Sequence, residues 1–142
     1  MKFSKATNYA LHTMVYLADK PKGTSIGVER LAETQKLSPT YLSKILTKLV
    51  KAGLIESTPG AKGGYRLARK GDNITFLDVI HAIEGQTVLF YCSIDHDDDF
   101  SRNEECLIEN AMIEAEEKMK ESLDRKYIMD IAKLMRSQKN LQ

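Results

Sequence analysis

Residues 28–69, VERLAETQKLSPTYLSKILTKLVKAGLIESTPGAKGGYRLAR, hold two helical patterns, a turn dense in glycine and an alternating strand in close succession. Val28, Leu31 and Ala32 fall on one face of a short helix running from about Gly27 to Gln35. The turn KLS comes next. Ser38 is then an N-cap with Pro39 at the first helical position, where a missing N–H costs nothing. Leu42, Ile45, Leu46, Leu49 and Val50 make the buried stripe of this second helix, and Gly53 ends it. Two helices joined by so short a turn describe a helix-turn-helix, although any helical hairpin satisfies the same residues. Residues 54–69 narrow the choice. LIEST and YRLAR alternate like strands around PGAKGG, with Tyr65 and Leu67 on one side and Arg66 and Ala68 on the other. Helix, helix, hairpin is the order of a winged helix.

The flanks extend this unit. SKATNYALHTMVYLAD places Ala6, Tyr9, Ala10, Thr13, Met14 and Leu17 near one helical stripe, with Ser4 as its cap. Thr75 and Asp78 have capping-box spacing ahead of a helix that buries Phe76, Val79, Ile80 and Ile83 and stops at Gly85. Further on, Ile108, Met112, Ala115 and Met119 recur at helical spacing within NEECLIENAMIEAEEKMKESL, and RKYIMDIAKLMRSQ is a shorter amphipathic helix. The expected fold is mainly α with a small β-hairpin, a winged helix-turn-helix plus a long C-terminal dimerisation helix. The expected organisation is a DNA-binding head over residues 1–85, an effector loop over 86–105 and a helical dimerisation arm over 106–142.

With 142 residues, 42% of them hydrophobic and 29% charged, the chain suffices for one domain with a real core. It has no apolar run near the ~20 residues of a membrane span. Its first twenty residues lack the unbroken apolar centre of a signal peptide. A cytoplasmic protein with reduced thiols is expected. The net charge of +1 hides a division. Residues 1–72 hold thirteen Lys and Arg against five Asp and Glu, whereas residues 73–142 hold eight against fifteen. A basic half beside an acidic half suggests a polyanion-binding end and an end with another task.

In a winged helix the second helix of the pair enters the major groove of duplex DNA with its N-terminal side chains at base edges. Ser38, Pro39, Thr40, Tyr41, Ser43 and Lys44 open that helix, and its hydroxyls and ammonium can read bases. Lys48 and Lys51 suit phosphate contacts further along. Lys62 lies at the hairpin tip, with Arg66 and Arg69 beside it. A solvated basic surface explains each lysine singly. The polar N-terminal face as a group, with so little acid near it, favours DNA. The stripe Ile108, Met112, Ala115 and Met119 has to be covered, either by the chain's own head or by a second copy. A homodimer on a palindromic operator fits the usual spacing of half-sites. The alternative is a helical interaction module whose basic head docks an acidic protein. Catalysis has little support, because His12 and His81 lie in helices beside apolar residues with no triad, phosphate loop or carboxylate pair.

MKFSKATNYAL, the stretch LAETQKLSPTYLSKILTKLVKAGLIESTPGAKGGYRLA, ITFLDVIHAIEG and CLIENAMIEAEEKMKESLDRKYIMDIAKL occur in this order along the chain. The series resembles the IscR, NsrR and CymR type of winged-helix transcriptional regulators over almost its whole length. The resemblance implies a dimeric bacterial regulator, usually a repressor. In cluster-binding members it implies an iron–sulfur cluster in the loop before the long helix. Cys92 and Cys106 match the first and third cysteines of that loop, while Phe100 stands at the middle one and Asn8 at an acidic ligand of the first helix. Pro59 occupies a wing position where the family often has arginine.

The loop YCSIDHDDDFSRNEEC therefore keeps several readings open. A cluster would rest on Cys92, Cys106 and a substitute such as His96 or an aspartate. Zinc could take Cys92, His96, Cys106 and a carboxylate, at no recognised spacing. Calcium fails: Asp95, Asp97 and Asp99 imitate an EF-hand, but Phe100 and Cys106 replace its glycine and glutamate. Thiol sensing at Cys106 would draw on the helix dipole against Glu104 and Glu105. An inert thiol pair in an acidic loop is as consistent with the residues. No cofactor is assigned.

Overall fold

Ser4 opens the first helix, α1 (Lys5–Ala18), by accepting a hydrogen bond from the Thr7 amide. The structure, a computed structural model, describes residues 2–69, 71–86, 88–93 and 106–140. Thr7, Ala10, Thr13, Met14, Leu17 and Ala18 line the buried face of α1. Next come α2 (Val28–Gln35) and α3 (Pro39–Lys51). The sharp turn between them is made by Lys36, whose φ of 57° is the one positive value at a non-glycine residue among those described. A left-handed residue at this point lets α2 end and redirects the chain within two residues. Ser38 caps α3 through the Tyr41 amide with Pro39 just inside, as the sequence signals predict.

The hairpin pairs β1 (Ile55–Thr58) with β2 (Gly64–Leu67) in antiparallel register, Ile55 opposite Leu67 and Glu56 opposite Arg66. A further pairing escapes the sequence reading. Ile26, ahead of α2, forms an isolated bridge with Tyr65, their amides and carbonyls exchanging hydrogen bonds of 2.9 and 2.8 Å. Gly64 permits this approach: its φ is +140°, and a Cβ there would lie 2.4 Å from the Ile26 carbonyl oxygen.

After a 3-10 turn at Gly71–Asn73, Thr75 and Asp78 form both halves of a capping box at the head of α4 (Phe76–Glu84). Then α5 (Leu107–Leu123) and α6 (Ile128–Asn140) complete the described chain. One hydrophobic core joins α1–α4, α6 and the hairpin, and α5 adds no apolar residue to it. Met14, Leu31, Leu42, Leu46, Leu49, Leu54, Ile55, Ile74, Val79 and Ile128 are essentially inaccessible, each contributing roughly 1.5–3 kcal/mol by its burial. Two details depart from the stripes read in the sequence. Val50 is 36% exposed, because it lies about 100° round the helix from Leu49, where the last turn of α3 leaves the core. Phe76 is half-buried at the core's margin.

The sequence reading groups α6 with the arm, yet α6 packs against α1. Ile128 and Ala132 sit in the common core, the Ile128 amide donates to the Ile74 carbonyl at 3.0 Å, and Arg136 holds the Asp19 carboxylate at 2.9 Å. Between α1 and α6 lies an open cavity of ≈ 930 Å³, lined in part by Leu11, Val15, Met129, Met135 and Phe76, with Asn8 and His12 at its edge. No helix among the described residues is long and apolar enough to cross a membrane.

Candidate nucleic-acid interface

The amphipathic sequence of α3 decides which side chains reach solvent. Leu42, Ile45, Leu46 and Leu49 anchor one face, so Pro39, Thr40, Tyr41, Lys44 and Lys48 are left on the other, exposed, with Ser43 half-buried between. The hydroxyl of Ser38 is taken up by capping, accepting from the Tyr41 amide at 3.2 Å. Tyr41 also has a packing role: its ring meets Tyr9 of α1 edge to face, with centroids 5.9 Å apart. The side chains of Thr40 and Lys44 make no hydrogen bond or ion pair with any other described residue. Their polar groups are therefore available to a ligand. Lys48 faces Glu84 closely enough to help hold that carboxyl below its ordinary value, although the Thr7 hydroxyl and the Ser4 amide do more. Part of its charge is thus answered within the chain.

At the wing, Lys62 is exposed in the turn closed by the Gly63 amide on the Gly60 carbonyl. Arg66 is less free than its position suggests. Its guanidinium bonds Glu56 across the hairpin at 2.7 Å, as the register dictates, and Arg69 reaches Asp78 at 3.2 Å. Both pairs are largely exposed, and such pairs are worth little and open readily. Of the basic side chains on α3 and the wing, Lys44, Lys51 and Lys62 form no ion pair among the described residues.

The stripe on α5 divides. Leu107 is 82% and Ile108 67% exposed, and Met112 and Ala115 are exposed as well. Met119, half-buried, lines a crevice of ≈ 80 Å³ with Leu77, Ile80, Leu89 and Leu123. Among the described residues, only the C-terminal end of the stripe, at Met119, is covered. Glu116 is the buried residue of the helix, held as a carboxylate by the Leu89 amide and by Lys120 at 3.3 Å.

Cys106 is the N-cap of α5, its sulfur accepting from the Glu109 amide at 3.5 Å. Glu109 in turn accepts from the Cys92 amide at 2.5 Å, so the segment after α4 is fastened to the first turn of α5. Glu109 is not singled out by the sequence reading, although Cys106 and Glu109 have the spacing of a capping box, which is the signal that points to it. His96 and Phe100, with Asp95, Asp97, Asp99, Glu104 and Glu105, lie outside the described residues. Among the described residues no group of three or more His, Cys, Asp or Glu could hold a metal ion. Asn8 presents a neutral carboxamide on the outer side of α1. With two cysteines in the whole chain, the donor set falls short of the thiolates that an iron–sulfur cluster ordinarily takes.

Comparison with known proteins agrees with this architecture. Residues 3–134 match the Rrf2 family, described as iron-dependent transcriptional regulators. Over 118 residues the chain is 33% identical to YwgB of Bacillus subtilis (strain 168), named as a candidate HTH-type transcriptional regulator, covering 83% of this chain and 76% of that one. Over 85 residues it is 39% identical to the HTH-type transcriptional regulator CymR of the same organism, covering 60% of this chain and 62% of CymR. The solved structure of B. subtilis CymR, titled the global cysteine regulator, superposes with a TM-score of 0.77 at 30% identity, covering 94% of this chain and 98% of that one. IscR of T. potens superposes at 0.73 with 28% identity, over 94% and 87% of the two chains. A match this long, over a head whose exposed face of α3 is polar and basic, means that the chain belongs to the Rrf2 family of winged-helix, DNA-binding transcriptional regulators.

Proposed function

We propose that the protein is a cytoplasmic homodimeric repressor that binds a palindromic operator in double-stranded DNA. Residues 1–85 act as the reading head, 86–105 as the effector loop and 106–142 as the dimerisation arm, whose last helix α6 packs back on the head. The observation that carries the reading is the exposed N-terminal half of α3, where Thr40 and Lys44 project without a described partner from a helix whose opposite face is locked in the core. Ser38, Pro39, Tyr41 and Ser43 shape that half. Lys48, Lys62 and Arg66 supply phosphate contacts, Arg66 by exchanging Glu56 for phosphate. A second copy covers Ile108, Met112 and Ala115. Met119 extends that face while also packing on its own head.

The test is selection of preferred duplexes from a random library, followed by titrations of selected and shuffled DNA at several salt concentrations. Strong binding with a steep salt slope is expected on the selected duplex. Thr40→Ala combined with Lys44→Ala should lower the selected-to-shuffled preference about tenfold or more, since each good base contact gives roughly 1–3 kcal/mol of discrimination. Tyr41 is left intact because its ring also packs on Tyr9. An equal loss on every sequence would show that this end of α3 does not read bases.

A further inference from the structure

Helix capping alone does not account for Cys106. Ser, Thr, Asp and Asn are the favoured N-caps, so a position needed only for capping is better served by any of them. Here the N-cap is a thiol, and the chain's other thiol is near enough to help hold it below its ordinary range. The two sulfurs come from different elements. The approach is held from the backbone side as well, through the 2.5 Å bond from the Cys92 amide to Glu109. Both cysteines are partly exposed. The Glu109 amide holds the Cys106 thiol below its ordinary range, with the Cys92 thiol and the Ile108 amide adding, while desolvation and the Glu109 carboxylate act the other way. A thiolate-prone sulfur at a helix N-terminus, partly open to solvent and with a second cysteine fastened to the same Glu109, is the arrangement of an attacking cysteine beside a resolving one.

We propose that Cys106 and Cys92 form a dithiol–disulfide pair oxidised by hydroperoxides, and that its closure changes operator binding through the start of α5. The regulatory half rests on the DNA-binding function proposed for the head; the chemical half does not. In the first step the Cys106 thiolate attacks the terminal peroxide oxygen. The O–O bond breaks, and the departing alkoxide or hydroxide takes a proton from solvent. Cys106 is then a sulfenic acid. In the second step the Cys92 sulfur attacks the Cys106 sulfur, an S–S bond forms, the S–O bond breaks, and the hydroxyl leaves as water with the Cys92 proton. Two electrons pass from the two thiols to the peroxide. The disulfide removes an ionisable thiol from the N-terminus of α5 and ties residue 92 covalently to the cap. This lies at the end of the helix whose neighbouring residues Leu107, Ile108 and Met112 are exposed for a second copy.

The test uses the full chain, reduced and then treated with hydrogen peroxide. Intact mass should fall by two hydrogens per chain, both thiols should resist alkylation, and a peptide joining Cys92 to Cys106 should appear within one chain. Cys92→Ser should stop at a sulfenic acid that a cyclic dione traps on Cys106. Cys106→Ser keeps a capping hydroxyl, so it should fold as the parent does, bind DNA unchanged when reduced, and leave Cys92 open to alkylation after peroxide. Operator affinity of the parent should change about fivefold or more on oxidation, and that of Cys106→Ser should not. Two alkylatable thiols after peroxide, a disulfide formed only between chains, or about one zinc or iron ion per chain held by the two thiols after purification would overturn the pair. Disulfide closure without any change in affinity would overturn the regulatory half. Failure of the reduced parent to bind DNA would instead count against the DNA-binding function itself, leaving the mass and alkylation results to decide the chemistry.

Discussion

Glu84 ends α4 and binds the start of α1: its Oε1 accepts from the Ser4 amide at 2.8 Å, the Ser4 hydroxyl at 2.7 Å and the Thr7 hydroxyl at 2.6 Å. These donors, the Thr7 hydroxyl first, hold its carboxyl below the ordinary value of 4.5. The unfolded chain therefore takes up the proton at a higher pH than the native one. The resulting stabilisation is complete above the ordinary value and disappears as pH falls through the lower native one. Glu84→Gln should lower the thermal midpoint by a few degrees at neutral pH, with a gap from the parent that closes as the solution is acidified below the ordinary carboxylate range. A gap constant with pH would mean that charge is not what the donors recognise. At this scale the sequence is legible where partners are close. Ser38, Pro39 and the Thr75–Asp78 box announce themselves within a few positions. Glu84 does not, because its partners lie about eighty residues away along the chain.

Among the elements, α5 shows both what periodicity reveals and what it leaves out. Spacing alone identifies the stripe Ile108, Met112, Ala115 and Met119, but a stripe says only that something must cover it. The structure divides it into a half closed over α4 and a half open to solvent. Ile108→Glu combined with Met112→Glu places two charges on the open half, away from the core of the chain. The variant should keep its helix content by circular dichroism and sediment as a monomer. It should also lose about 100-fold in operator affinity as the linkage of two heads is lost. A variant that remained a dimer would show that the open half is not the seam. The α3 stripe, by contrast, is read almost completely, because Leu42, Ile45, Leu46 and Leu49 meet the chain's own core; only Val50, where the helix leaves that core, is misjudged.

For the whole molecule, the return of α6 to α1 matters most. A linear reading assigns the last helix to the arm because it comes soon after α5, and no local pattern reports that Arg136 will meet Asp19. The bridge between Thr75 and Tyr127, next to the fully buried Ile128, makes the last helix part of the head's foundation. Ile128→Ala should cost about 2–5 kcal/mol and shift one cooperative transition seen alike by helix content and by the burial of Tyr9 and Tyr65. A separate, earlier melting of α6 would show that it is only appended. Net charge gives the reverse case: the basic half is plain from counting, but only the fold shows that Arg66 and Arg69 already have carboxylate neighbours. The bridge of Ile26 to Tyr65, admitted by Gly64, has its own effect on motion. It fastens β2, one pair from the turn, to the segment entering α2, so that only the turn around Ala61 and Lys62 extends beyond the clamp. Under the DNA-binding mode proposed for the head, this would let the tip fit grooves of differing width while the platform beneath it keeps its shape.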